Sequence, residues 1–292
     1  MFRTRLLSGI LLVIIALATI MAGDGVLAVV LCLISLIAYR ELTKACGVHT
    51  EGADKERSFN ALEYVGMIMT ILYYGALFAA LRYGREAGEG LHGVYPVIMT
   101  AIVLTLIAFL FTYVFSFPRY QASQTMAALF SYLYAPVMLS FIYLTREGFA
   151  HGNYLVWFIF LCSWGSDTCA YAVGVLIGRH KMTPKLSPKK SVEGAVGGVV
   201  GAALLFILYA HFAVNRYSEA ELPLFLVAVL GALGALVSMV GDLAASAIKR
   251  DHGIKDYGKL IPGHGGIMDR FDSVIIAAPL IFIGLMLLTY RS

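Results

Sequence analysis

"LLSGILLVIIALATIMAGDGVLAVVLCLISLIAY", residues Leu6 to Tyr39, contains a single charged side chain, Asp24. As one helix it would be about 50 Å long at 1.5 Å per residue, well beyond the ~30 Å hydrocarbon layer of a bilayer. Gly23-Asp24-Gly25 punctuates the run as a turn, so the stretch predicts a short hairpin of two apolar helices. The residues are apolar on every face, whereas a membrane β-strand would alternate over about ten residues. With no water to satisfy the backbone inside a bilayer, the spans are forced to be helices.

The rest of the chain repeats this pattern. Hydrophobic residues make up 60% of it and charged residues only 14%, against about 25% charged in a soluble domain. Further apolar runs cover Tyr64–Leu81, Val94–Phe117, Thr125–Leu144, Tyr154–Gly178, Ala195–Val214, Leu222–Gly241 and Ser273–Tyr290. The fold class is therefore an all-α polytopic integral membrane protein with about nine transmembrane helices. The basic tip Met1-Phe2-Arg3-Thr4-Arg5 suits a signal peptide, but its apolar run is long and another follows at once, so a retained first helix is expected. Cys32, Cys46, Cys162 and Cys169 form no CxxC pair, which argues against a disulfide framework or a cysteine metal site. A net charge of +4 is ordinary for a membrane protein with basic loops and gives no reason to invoke nucleic acid. With no linker or repeat, the chain reads as one membrane domain. Residues 1–150 supply anchoring helices that can enclose lipid, and residues 151–292 carry two charged loops.

Lys and Arg placement sets the orientation. With a cytoplasmic N-terminus, seventeen of the basic residues fall on the inner side, including Arg40, Lys44, Lys55, Arg57, Arg179, Lys185 and Lys249. Five fall outside: Arg82, Arg85, Arg146, Arg216 and Arg291. Both long charged loops then face the cytoplasm.

The polar residues within and between the apolar runs carry the chemistry. Asp167 lies past the middle of its run, where a carboxylate costs about 2.5–3.5 kcal/mol. On a continuous helix Ser163, Asp167, Tyr171, Gly174 and Gly178 share one face, either a structural hydrogen-bonding stripe or a functional one. Asp242 ends a later run, with Ser246, Lys249 and Arg250 one and two turns on; if the helix continues, the four project within one arc. A basic last turn suits the helix dipole but leaves Asp242 unexplained.

Asp269 and Asp272, spaced i, i+3, begin the last run around Arg270. One of them can cap a helix; two acids on one face also suit a hard divalent cation such as Mg²⁺. Between these acids lie Pro262-Gly263-His264-Gly265-Gly266, whose glycines allow close backbone approach and an anion-binding nest of N–H groups. Lys255, Lys259 and Arg270 flank it. The second loop offers Lys185, Ser187, Lys189, Lys190, Ser191 and Glu193, which can serve a phosphate or anionic lipid headgroups. Gly194, Gly197, Gly198 and Gly201 have the spacing of close helix packing. Acids from three helices beside many cations are what phosphoryl or nucleotidyl transfer requires. No Walker A or Rossmann glycine motif is present, so these residues alone leave the nucleotide open.

Ser246-Ala-Ile-Lys249-Arg250, then Lys255-Asp256, then Pro262-x-His264-Gly265-Gly266-Ile267-x-Asp269-Arg270-Phe271-Asp272 resembles the signature of the phosphatidate cytidylyltransferases, or CDP-diacylglycerol synthases. The resemblance extends to Ser166-Asp167-Thr168, to Ser187-Pro188-Lys189-Lys190-Ser191 with Glu193-Gly194, and to Gly241-Asp242-Leu243. It covers the C-terminal half; residues 1–150 match only as apolar helices. It implies transfer of a cytidylyl group from CTP to phosphatidic acid, giving CDP-diacylglycerol and pyrophosphate. The reaction would depend on Mg²⁺, with a monovalent cation beside it in some members. It also implies a homodimer, among membrane lipids, in the inner (cytoplasmic) membrane with the active site facing the cytoplasm.

Under this resemblance Asp167, Asp242, Asp269 and Asp272 are the expected metal ligands. Asp242, Asp269, Lys249, Arg250 and Arg270 are the expected catalytic set. Lys189, Lys190, Ser246, Lys255, Lys259, His264, Gly265 and Gly266 are expected to bind the substrates. A transporter of a phosphorylated solute is a competing reading, although the outer half of the chain lacks the polar pathway it needs. A lipid kinase or phosphosugar transferase is a chemically closer one.

Overall fold

The structure, a computed structural model, describes residues 2–48, 59–87, 91, 93–218, 220–261 and 265–289, with backbone only at 2–8 and 10. Among the described residues eight helical stretches are long and apolar enough to cross a membrane. They are Asp24–Ala45, Ala61–Ala87, Val94–Phe115, Ala122–Gly148, Gly152–Ile177, Val192–Tyr217, Leu224–Asp251 and Met268–Thr289. The first helix contributes a shorter apolar stretch, Leu11–Ala22. The protein is an all-α polytopic membrane protein.

The chain divides into two units, Met1–Tyr143 with His252–Arg270, and Leu144–Asp251 with Phe271–Ser292. In the first unit, α1 (Phe2–Ala22) and α2 (Asp24–Ala45) are separated at Gly23. Gly23 has φ 62° and Asp24 φ 42°, a left-handed step that glycine makes cheaply. There follow α3 (Ala61–Ala87), α4 (Val94–Phe115), α5 (Ala122–Tyr132), a π-helical turn at Leu133–Val137 and α6 (Met138–Gly148). Pro136 lies in that turn, where its missing N–H would break an α-helix. Tyr74 donates its hydroxyl to the Pro136 carbonyl at 3.3 Å and shares a 2.9 Å hydrogen bond with Ser35. Tyr73 and Ser140 are joined at 2.8 Å. These are hydroxyl contacts between helices whose buried faces also carry apolar side chains such as Leu27, Leu31 and Leu77. Gly66 makes room for Tyr39, whose ring a Cβ would strike.

The second unit begins with α7 (Gly152–Leu155) and α8 (Trp157–Phe160), a π-helical turn at Leu161–Gly165 and α9 (Ser166–Ile177). A two-stranded antiparallel hairpin follows, β1 (Lys181–Thr183) against β2 (Ser187–Ser191). Next come α10 (Val192–Tyr209), a π-helical turn at Ala210–Val214, α11 (Asn215–Tyr217), α12 (Leu224–Asp251) and the body of α13 (Met268–Thr289). Glycine spacing sets the α9–α10 contact. A Cβ at Gly198 would lie 3.0 Å from the Ala170 Cβ, one at Gly194 2.7 Å from the Ala170 carbonyl, and one at Gly201 2.5 Å from Cys169. Small residues let the two backbones meet, as the spacing predicts.

Two elements differ from their sequence reading in ways that matter to the site. The seventh long helix runs to Asp251, ten residues beyond its apolar core, so Asp242, Ser246, Lys249 and Arg250 do stand on one continuous helix. The last helix starts at Met268, five residues before its apolar run, and has Asp269 in its first turn, where an acid is favourable.

Candidate active site

In the second unit, α9 and α12 bring two acids to one cavity, with the start of the α13 body beside them. Asp167 enters from α9, two residues past the π-helical turn; such turns recur at functional sites. Ser163, within the turn, is buried and its hydroxyl donates to the Ile159 carbonyl at 3.1 Å. Asp242 comes from α12 and interacts electrostatically with Asp167, while the Ser273 hydroxyl of α13 hydrogen-bonds Asp167. Gly241 brings α13 close, since a Cβ there would lie 3.0 Å from the Asp272 carbonyl. The Asp272 Oδ1 accepts from the Ser273 N–H at 2.8 Å.

These acids face cations. Lys190 Nζ is paired with Asp242 Oδ2, and the two side chains are 23% and 28% exposed. Lys190 also lies within electrostatic reach of Asp167. Asp167 and Asp242, with Lys181, Lys189 and Lys190, line a cavity of about 490 Å³. Its apolar wall includes Ala170, Val175 and Met239. The β-hairpin delivers the lysines. Its base is closed by Glu193, which accepts from the Arg179 N–H at 3.1 Å and the His180 N–H at 3.2 Å, and contacts His180 Nδ1 at 2.6 Å. Ser191 ends the hairpin and caps α10, accepting from the Gly194 N–H at 3.1 Å, a standard N-cap bond.

The signature loop of the first unit is organised by two carboxylates. Asp269 Oδ2 accepts from the Tyr257 N–H and the Gly266 N–H, both at 2.9 Å. Glu41, at the end of α2, accepts from the Ile267 N–H at 3.2 Å and the Met268 N–H at 2.8 Å. Gly265 has φ 86°, and its carbonyl accepts from the Ile261 N–H at 2.9 Å, closing the loop tip. A second cavity, of about 570 Å³, is lined by Arg40, Glu41, Lys44, Tyr257 and Lys259 with Leu36, Ile37 and Met67.

The structure thus gathers Asp167, Lys189, Lys190 and Asp242 around one cavity, with Asp272 on the adjoining turn of α13. Ser246, Lys249 and Arg250 continue from Asp242 along α12. Gly265, Gly266 and Asp269 lie together in the other unit; Lys255, Lys259 and Arg270 are exposed there. His264 lies outside the described residues. Among the described residues, no group of three or more His, Cys, Asp or Glu is placed to hold a metal ion. Two carboxylates on a cavity wall nevertheless fit Mg²⁺, which usually takes one or two protein carboxylates and fills its remaining positions with water and phosphate oxygens. Glu41 is the residue that sequence reasoning missed. Its only signal was an acid at the C-terminal end of an apolar run, beside Arg40.

The family model described as "Cytidylyltransferase family" matches residues 3–288. The phosphatidate cytidylyltransferase of Staphylococcus epidermidis is 31% identical over 279 residues, 96% of this chain and 97% of the relative. Those of Staphylococcus saprophyticus and Staphylococcus aureus are 29% and 28% identical over the same proportions. The chain belongs to the cytidylyltransferase family.

Proposed function

We propose that the protein is a phosphatidate cytidylyltransferase, a membrane nucleotidyltransferase that converts CTP and phosphatidic acid to CDP-diacylglycerol and pyrophosphate. The observation that carries this reading is the cavity of the second unit, where Asp167 and Asp242 face Lys181, Lys189 and Lys190, within a chain matched by the family over nearly its whole length. An oxygen of the lipid phosphate attacks the α-phosphorus of CTP, the α–β bridging bond breaks, and pyrophosphate leaves. The nucleophile is already anionic, so no general base is required. The cavity residues bind and align polyphosphate, and positioning with charge stabilisation is the main work in reactions of this kind.

Asp167 and Asp242 would hold Mg²⁺, with Asp272 adjoining; when bound, the ion neutralises phosphate oxygens. Lys190 now neutralises Asp242, and the same ammonium can turn to a phosphate when the carboxylate is occupied. Lys189 and Lys181 are placed for the same anion, and Lys249 and Arg250 extend the cationic track along α12. Asp269 and Arg270, with Lys255, Lys259 and His264, belong to the signature loop, and the family resemblance supports a role for them in binding the substrates. The basic loops favour a cytoplasmic active site and a cytoplasmic N-terminus. The family resemblance supports an inner-membrane homodimer and, in some members, a monovalent cation beside the Mg²⁺.

The test is pyrophosphate release by purified protein in mixed micelles containing phosphatidic acid, CTP and Mg²⁺, with ATP, EDTA and Asp242→Asn run alongside. Release that needs CTP, lipid, metal and Asp242 supports the reading. Well-folded protein that releases none, or that uses ATP equally well, overturns it.

A further inference from the structure

We infer that Glu41 is a positioning residue for the proposed transfer reaction, holding the Tyr257–Asp269 loop in its working shape from an N-terminal helix that has no motif of its own. The inference rests on the functional reading above and adds a residue to it.

Glu41 is 9% exposed and spends both carboxylate oxygens on one target. Oε1 accepts from Ile267 N–H and Oε2 from Met268 N–H. Met268 opens α13, so these donors are among the amides that a helix N-terminus leaves without an internal partner. A negative group there also meets the positive end of the helix dipole. The fit is steric as well. A Cβ on Gly258 or on Gly266 would collide with the Glu41 carboxylate, so both glycines leave space that this side chain fills. Asp269, one residue after Met268, then closes the loop from inside through Tyr257 and Gly266.

The two acids divide the work: Glu41 fixes where the helix begins, and Asp269 fixes how the loop folds back on it. Glu41 does not need to touch substrate to matter. If its bonds are lost, Gly266 and Asp269 lose their common reference, and the residues beside them, Gly265 and Arg270, move with them.

The experiment compares wild type with Glu41→Gln and Glu41→Ala in detergent micelles. Amide hydrogen exchange across 257–270, thermal midpoint, and kcat and KM for CTP are measured on each. The isosteric Gln keeps the volume and one good acceptor, so it remains informative if Ala fails to fold. Exchange at Ile267 and Met268 is expected to rise about tenfold in Glu41→Gln, the scale of one charge-assisted hydrogen bond, and further in Glu41→Ala. Exchange in α3 and α4 should stay at the wild-type rate. The kcat per folded molecule should fall by about tenfold or more in both variants, a loss that a purely structural role would not produce in molecules that remain folded.

Unchanged exchange at 267–268 overturns the clamp. Raised exchange with unchanged kcat and KM overturns the positioning role. A wild-type protein that does not turn over CTP overturns the functional reading instead, and the exchange result then still decides whether Glu41 holds the loop.

Discussion

Breaking the Lys190–Asp242 pair should reveal a coupling that neither residue shows alone. At about 4 Å and an effective dielectric of about 20, two unit charges attract by about 4 kcal/mol. The side chains are 23% and 28% exposed, so water screens part of that, and the expected coupling is about 1–3 kcal/mol. Asp242→Asn strands an ammonium whose nitrogen is buried from solvent. Lys190→Met leaves Asp167 and Asp242 facing each other without the cation that lies within reach of both. Each single change should therefore destabilise more than the double change does relative to its parent. Denaturant or thermal unfolding of the four proteins in one detergent closes the cycle. Repeating it with saturating Mg²⁺ and CTP should shrink the coupling, because both partners then turn toward ligand. Additivity within about 0.5 kcal/mol in the free protein would refute the pair as an energetic unit. A coupling untouched by Mg²⁺ and CTP would refute its place in the substrate site.

Other outcomes follow from the same geometry. Gly198→Leu must push α9 and α10 apart at Ala170 and Ser166, costing about 1–3 kcal/mol as overpacking does, which a lowered thermal midpoint would show. Ser191→Ala removes the α10 cap bond and should cost about 0.5–2 kcal/mol, with faster amide exchange at Gly194. Gly266→Ala collides with Glu41 and should lower kcat by about tenfold, one lost charge-assisted bond. Gly253→Ala has open space around it and only a left-handed φ to strain, so it should cost about 1–2 kcal/mol of stability with full turnover. Chelation with EDTA should stop pyrophosphate release, and added Mg²⁺ should restore it.

The helices were legible because a bilayer leaves a chain few choices: uncharged runs of sufficient length must be helical, and the runs after Leu6–Tyr39 each became one. Asp167 and Asp242 stood out because carboxylates are costly where they lie. Glu41 did not, since an acid beside Arg40 at a helix end looks like solvated flank. Its partners are backbone amides 226 and 227 residues away, and backbone amides have no letter in the sequence. The π-helical turn before Asp167 was hidden for a related reason. It changes the local helical geometry without changing which residues are apolar; of the stripe drawn from Ser163 to Gly178, Asp167, Tyr171 and Gly174 line one cavity. The Lys181–Ser191 hairpin is short and charged, and such strands carry no alternating apolar pattern by which to be found.

The chain leaves the first unit at Tyr143 and returns to it only for His252–Arg270, and this detour sets a timetable for biosynthesis. When α2 enters the membrane, Glu41 arrives without the amides it will bind, because Ile267 is 226 residues downstream. At ~5–20 residues per second the ribosome needs about 11–45 s to deliver them. During that interval the nascent N-terminal helices hold a carboxylate with no backbone partner and a socket waiting for its plug. Quality control that senses unpaired polar groups in new membrane proteins would find its target there, and a chain truncated before residue 267 would never lose it.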